Sequence, residues 1–591
     1  MEAALNDLDP VPMDDQQAWE LSYHEGPMIE MDHDDNNWQL PSHASFQGKD
    51  PILSAMLTSA DMFSPSPPMP MPITYSPDVS DLDFDSIRLL LDRYQHTLVP
   101  YFVPVRIRAK SPWETLHIPK VHETLGEVMV RGDGGNARLA LTFAVLGASA
   151  FHLDILRPRT NAVAGPLWRV LGDRYRVRAK SRLKSCLRNI SSGKKEEDYK
   201  DVLVALLSMV TISVVSGEMD EAYAYLRDIE RLIALYGVDK IRKSVGVRML
   251  HSTFLYLRTL QASIGIFGHS APGAMLNGHL RGSGDGESAS ARASASMLAS
   301  QNAGLWTELL QAEEHSDSTA TRQTGDQPRV CHSCGANKSI FEQIYSVPES
   351  LFLLISRATV LTQEVQRLKQ EQARSGHVDH DPFSVKVSQL ETDICGWKND
   401  IDMPMPGPSQ NTARTNTAHC SNCHLTISRP DAESESESGM NLNLDQNQNG
   451  QRPPLCEALL YHFREALHAA LLIYFYRCVR NVDTLFLQQF AEKTIEHLLR
   501  YAEYKRQSLD PSSNLCWPGF IAGCEAMDPK SRRRISAWFT AETAQTGIRM
   551  FEVAGQAVQQ VWDARELAND RNLPWSQVLK ESRTLDKLVL S

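Results

Sequence analysis

The sequence predicts an all-α protein: a multi-helix antiparallel helical domain behind a disordered acidic N-terminal arm, interrupted by two low-complexity inserts. Three observations predict it. From about residue 86 onward apolar residues recur at helical spacing, and strand-like alternation is scarce. Short Gly-containing breaks such as Ser216-Gly217 and Tyr236-Gly237 separate the periodic runs, as helix C-caps do, because a residue without Cβ reaches the left-handed conformation cheaply. Aromatic residues make up only 7% of a chain that is 42% hydrophobic and 22% charged, a globular composition with no lean toward β structure. At 591 residues the chain exceeds the roughly 250–300 at which single cores stop growing, so part of it must be separate domain or unfolded insert.

Residues 1–85 read as the disordered arm. Residues 1–86 hold 17 Asp and Glu against Lys49 alone, a net charge of −16 within a total of −12, so the remainder is near +4. Acidic residues interleave with isolated aromatics and Met, as around Trp19 and in Ile29-Glu30-Met31-Asp32-His33-Asp34-Asp35 before Trp38. That composition buries too little apolar surface to offset chain entropy. It is the pattern of amphipathic activation segments, in which like charges keep scattered apolar side chains available to a coactivator; a plain solvated tail fits equally well.

Three stretches then carry the helical domain: 86–268, 331–403 and 454–591. Ile87, Leu90, Leu91 and Tyr94 form the first helical run before Pro100 and Pro104. Ser111-Pro112-Trp113-Glu114 offers an N-cap Ser, Pro at the first helical position and Glu three residues past the cap, with Trp113 as a core anchor. Helices follow over Ala137 to Leu153, Leu167 to Arg188, Tyr199 to Ser216, Glu218 to Tyr236 and Lys243 to Ile264. Ile344 to Gln370 and Phe383 to Trp397 come next, then 455–508, 515–526, 530–541 and 542–566. Between the stretches, 269–330 is rich in Gly, Ser, Ala and Thr, and 404–453 in Pro, Asn, Gln and acidic serine repeats; both read as disordered inserts. The apolar run Val202 to Val215 is 14 residues, short of the about 20 that span a bilayer, and reads as a buried core helix; no membrane association is expected.

Catalytic motifs are absent. The sequence has no G-x-S-x-G elbow, H-E-x-x-H pair, P-loop or dinucleotide fingerprint, and Gly132-Asp133-Gly134-Gly135 enters a helix without a preceding strand, so it reads as a loop. No catalytic residue and no cofactor is assigned. The sharpest metal candidate is the tetrad Cys331, Cys334, Cys420 and Cys423, two C-x-x-C pairs that would supply four thiolates to zinc. Compact zinc modules space their pairs far more tightly than the 85 residues from Cys334 to Cys420. In a reducing compartment the cysteines are expected as free thiols or metal ligands. Two basic runs stand out: Arg169, Arg174, Arg176, Arg178, Lys180, Arg182, Lys184 and Arg188 on one helix, and Lys530, Arg532, Arg533 and Arg534 as a compact nuclear-import candidate. Either run suits a nuclear import receptor or a phosphate contact; for the first a solvated helix face is the favoured reading, and for the second the two readings are balanced. Trp113, Trp517 and Trp538 are expected in the core, since large aromatics dominate burial.

Several strings resemble one family. Lys110-Ser111-Pro112-Trp113-Glu114-Thr115-Leu116-His117-Ile118-Pro119, the runs from Ala137 to His152 and from Tyr199 to Gly217, Tyr345 to Leu351, Tyr461 to Leu467, and Leu515 to Ala526 resemble the fungal-specific transcription factor domain found behind binuclear zinc clusters, in its arginine-metabolism regulator branch. The resemblance covers about residues 86–591 apart from the inserts. It implies a regulatory domain that controls transcription of metabolic or biosynthetic genes by RNA polymerase II in the nucleus, with dimer formation and effector response. Family members begin with six cysteines that hold two zinc ions and set a helix in the major groove. Here the first cysteine is Cys186, so no residue inherits that role. Zinc is expected only with such a cluster. The chain is either the regulatory part of a zinc-cluster activator or a product acting through partners: coactivators or transcription machinery at residues 1–85, and homo- or heterodimers with zinc-cluster factors, reaching DNA indirectly. A helical interaction scaffold and a metabolite-binding sensor are the rival readings.

Overall fold

The computed structural model describes residues 84–105, 111–156, 167–192, 198–236, 244–265, 339–375, 381–401, 455–508, 512–513, 515–582, 584 and 588–590. Regular structure among them is helical throughout, as the sequence predicts. The acidic arm before Phe84, both inserts and Gly237 lie outside the described residues.

Helix α1 (Phe84–Arg93) continues into a π-helical turn at Tyr94–Leu98 and a 3-10 turn at Val99–Phe102. A second π-helical turn, Trp113–His117, opens α2 (Ile118–Arg131). Both π turns close one residue before a proline, with the N–H of Val99 bonded to the carbonyl of Tyr94 and that of Ile118 to the carbonyl of Trp113. Proline has no N–H and its ring crowds the carbonyl four residues back; widening the turn ahead of Pro100 and Pro119 relieves both. The capping box forms: Ser111 Oγ accepts the Glu114 N–H at 3.3 Å, and Glu114 Oε2 accepts the Ser111 N–H at 2.9 Å. Gly132 and Gly135, both at φ 74°, make the expected loop before α3 (Asn136–Ile155).

Helix α4 (Leu167–Ser192) runs antiparallel along α3, and α5 (Tyr199–Ser216) packs on both. Small residues set the spacing. A Cβ at Gly147 would sit 2.6 Å from Ile212 Cδ1 of α5 and 3.3 Å from Tyr175 Cβ of α4, and one at Gly172 would meet the Phe151 ring at 2.9 Å. Helices α3 and α5 are buried almost all round, so the apolar run Val202 to Val215 is the core helix the sequence predicts. Asp198 caps α5, accepting the Lys200 N–H at 2.9 Å, and Gly217 at φ 87° ends it.

Helices α6 (Met219–Tyr236) and α7 (Val245–Gly265) complete the first stretch. The single helix expected over Ile344 to Gln370 is instead α8 (Ile340–Tyr345) and α9 (Glu349–Ser375). Ser346 turns left-handed at φ 60° and Pro348 cannot continue an N–H ladder, so the chain restarts. Helix α10 (Asp381–Gly396) matches expectation. The run 455–508 is divided into α11 (Leu455–Cys478) and α12 (Gln488–Ser508), with Asn481 at φ 55° between them. After α13 (Cys516–Glu525), α14 (Pro529–Thr546) and α15 (Arg549–Leu567) meet at Gly547, φ 63°, rather than at residues 541–542. A final helix, α16 (Trp575–Glu581), was not anticipated.

The three stretches share one hydrophobic core that runs from Ile87 to Leu590. Ser263 of α7 joins the first stretch to the last: its Oγ accepts the Trp517 Nε1–H at 2.8 Å and its carbonyl accepts the Tyr474 hydroxyl at 3.0 Å. Trp113, Trp517 and Trp538 are all buried, as expected.

Candidate functional site

The tetrad Cys331, Cys334, Cys420 and Cys423 lies outside the described residues. Of the described cysteines, Cys186, Cys456, Cys478, Cys516 and Cys524 are buried and Cys395 is exposed. No group of three metal-binding side chains occurs among the described residues, so these cysteines do not fit a zinc cluster. Burial pushes the thiols of Cys478, Cys516 and Cys524 up, away from the nucleophilic thiolate.

The basic run at 530–534 forms the first turns of α14. Lys530 and Arg533 face solvent. Arg532 stacks over Trp562 at 5.1 Å, donates to the carbonyl of Ala526 and pairs with Glu566 at 2.7 Å. Arg534 pairs with Glu492 and, at 2.6 Å, with Glu496 of α12. Half of this patch therefore fastens α14 to its neighbours.

The other basic run is α4, whose eight cations against Asp173 give it a net charge of +7. Its inner cations are used structurally. Arg176 lies over the Phe151 ring and pairs with Asp173 and Glu218, Arg178 lies over Phe143, and Lys180 bonds Glu221 at 2.5 Å. The outer face presents Arg169, Val170, Arg174, Val177, Ser181 and Arg188 to solvent.

Sequence reading missed the buried charges. Glu525, at the end of the otherwise apolar α13, is fully buried and accepts from Arg477 of α11 at 3.2 Å, Arg565 of α15 at 3.1 Å and the Thr484 hydroxyl at 2.6 Å. Arg477 also donates to Asn572, and Arg565 to the carbonyls of Cys524 and Leu573. Arg464 of α11, with no exposed surface, bonds Glu342 at 3.1 Å, the Ser346 carbonyl at 3.2 Å and Asp400. The only signal was placement: Arg464 and Glu525 both fall within strings that carry the family resemblance, amid apolar neighbours. Histidines are buried too. His462 and His497 face each other through Nδ1 atoms 2.8 Å apart; burial, reinforced for His462 by His497 and Arg500, lowers them to about 3 and about 4. These groups build a rigid polar frame inside the helical body.

That body defines the class. The profile of the fungal specific transcription factor domain matches residues 88–586, and the chain belongs to this family. Among curated proteins, it is similar to arginine metabolism regulation protein II of Saccharomyces cerevisiae, 24% identical over 534 residues, covering 84% of this chain and 54% of that protein. The chain thus spans about half the length of the curated relative it matches. No solved structure matches.

Proposed function

We propose that the chain is a transcriptional regulator of metabolic or biosynthetic genes in the nucleus, and not an enzyme, with the helical body as its regulatory domain and residues 1–85 as an activation segment that recruits coactivators or the transcription machinery. The match of the family over almost the whole helical body carries this reading, and a relative named for regulating arginine metabolism supports metabolic targets. The acidic, aromatic-bearing composition of the arm supports recruitment, because charge keeps Trp19 and Trp38 available to an apolar coactivator groove. Zinc-cluster factors are the proposed dimer partners through which the regulator reaches DNA, and Lys530 with Arg533 is the proposed exposed part of an import patch.

The test is a reporter assay with residues 1–85, freed from the helical body, fused to an unrelated DNA-binding domain. Activation is expected, with at least a five-fold fall in the double variant Trp19→Ala/Trp38→Ala at unchanged protein level. Activation that is absent, or indifferent to those tryptophans, would overturn the assignment of residues 1–85.

A further inference from the structure

We infer that the solvent face of α4 is the docking surface for the chain's own acidic arm, residues 1–83, and that this contact holds the arm in an autoinhibited state. The word autoinhibited rests on the activation reading above; the docking itself does not. Charge is the first argument. The arm carries 16 Asp and Glu against Lys49, a net of −15, while α4 carries +7, or +5 once Glu218 and Glu221, which pair with its Arg176 and Lys180, are set against it, in a chain whose remainder beyond residue 86 is near +4 overall. Opposite patches of this size attract over a Debye length, about 10 Å at 0.1 M salt.

Surface chemistry is the second. Arg169, Arg174 and Arg188 are exposed on α4, and Val170 and Val177, 52% and 45% exposed, sit among them on the same face. Cations interrupted by apolar side chains match a partner in which Asp and Glu are interrupted by Trp, Met and Leu, as in residues 29–40. A phosphate backbone has no use for the valines, which favours the arm over nucleic acid.

Tethering is the third. The arm joins the body at Phe84, which stands about 14 Å along α1 from Arg93. Arg93 donates to His152 Nδ1 at 3.1 Å, next to the Phe151 on which Gly172 and Arg176 of α4 pack. Helix α1 therefore lies on the pair of α3 and α4, and the arm starts at its far end, where Phe84 lines one surface pocket with His122 of α2. A chain of 83 residues following coil statistics would span about 50 Å, and α4 is about 39 Å long, which puts the whole stripe within reach. Such a linkage sets an effective concentration in the mM range, enough for weak contacts to be occupied without a second molecule.

The test uses the full chain with Arg174→Lys and Arg188→Lys, which keep the charge and add amines to the stripe beside Lys184. Zero-length carbodiimide coupling in 50 mM salt, read by mass spectrometry, is expected to join carboxylates of residues 1–83 to positions 174, 184 and 188 within one chain. The yield should exceed that at the exposed Lys398, Lys530 and Lys580 by at least five-fold. It should collapse in 1 M salt and in the further variant Arg169→Glu/Ser181→Glu, whose substituted positions are both exposed. Coupling spread evenly over the exposed lysines, or found only between isotopically labelled and unlabelled chains, would overturn docking in cis. So would binding of a random DNA duplex that the same charge reversal abolishes while no arm couplings form. The reporter assay separates the two readings: an arm that activates without docking sinks this inference alone, and one that docks without activating sinks the activation reading alone.

Discussion

Glu525 holds two arginines in a place where none of the three charges reaches water. Removing one partner of a buried ionic cluster leaves the others uncompensated, so Glu525→Ala should cost about 3–5 kcal/mol in urea unfolding. A loss below about 1 kcal/mol would mean that water reaches Arg477 and Arg565. The histidines set the acid response. Burial lowers His117, His251 and His462 to about 3 and His152 and His497 to about 4, against an unfolded value near 6.5. Their folded values are depressed, so the stability they contribute is full above pH 6.5 and is lost as pH falls toward 4 to 3, at about 1.4 kcal/mol per unit for each. Asp228 runs the other way: burial raises it to about 7 against the pull of Arg231, and the stability of its protonated form is lost as pH rises from the usual carboxylate range through 7. Burial raises Asp198, Glu221 and Glu349 as well, and lowers His468; the depressed histidines still outnumber the raised carboxyls, and the unfolding midpoint should fall between pH 7 and pH 5, whereas a rise would contradict the neutral histidines. None of this was readable residue by residue, since a charged or imidazole side chain looks the same in sequence whether it faces water or a partner 60 positions away.

Elements begin and end where local chemistry says they should. Asp528 accepts the Ser531 N–H at 3.0 Å and Pro529 occupies the first helical position, so α14 has a complete start. Asp528→Ala should cost about 1 kcal/mol, measured as a shift in thermal midpoint, and Asp528→Ser should restore most of it. Gly519 lies where α13 crosses α14, and a Cβ there would fall 2.4 Å from Cζ3 of Trp538. An indole ring cannot flex aside, so Gly519→Ala should lose about 1–3 kcal/mol despite the better helix propensity of Ala. Stability equal to or above the parent would show that α13 and α14 can separate. The capping box at Ser111 and the C-cap at Gly217 were legible because both are strictly local. The break at Ser346 was not, because serine carries no left-handed signature; Pro348 was the visible warning.

At the scale of the whole molecule, the first and last stretches meet at Ser263, Tyr474 and Trp517 rather than standing as separate domains. Trp517→Ala removes a fully buried indole and its bond to Ser263, and a cavity of that kind costs about 3–5 kcal/mol. Amide hydrogen exchange should then speed up in α7 as well as in α13, because one core transmits the loss to both. Exchange that changes in α13 alone would show that the stretches unfold independently.

By itself the sequence determined the fold class, the position of most helices and the family resemblance, because helical periodicity, caps and apolar content act within a turn or two of chain. It also set apart the acidic arm and the basic helix, since net charge is a property of composition. Tertiary structure alone decided which charges are interior, which face of α4 is left to solvent, and that stretches divided by long inserts close over one core. Those outcomes depend on contacts between residues tens to hundreds of positions apart, such as Glu525 with Arg477 and Arg565, or Trp517 with Ser263, and no local rule encodes such pairings.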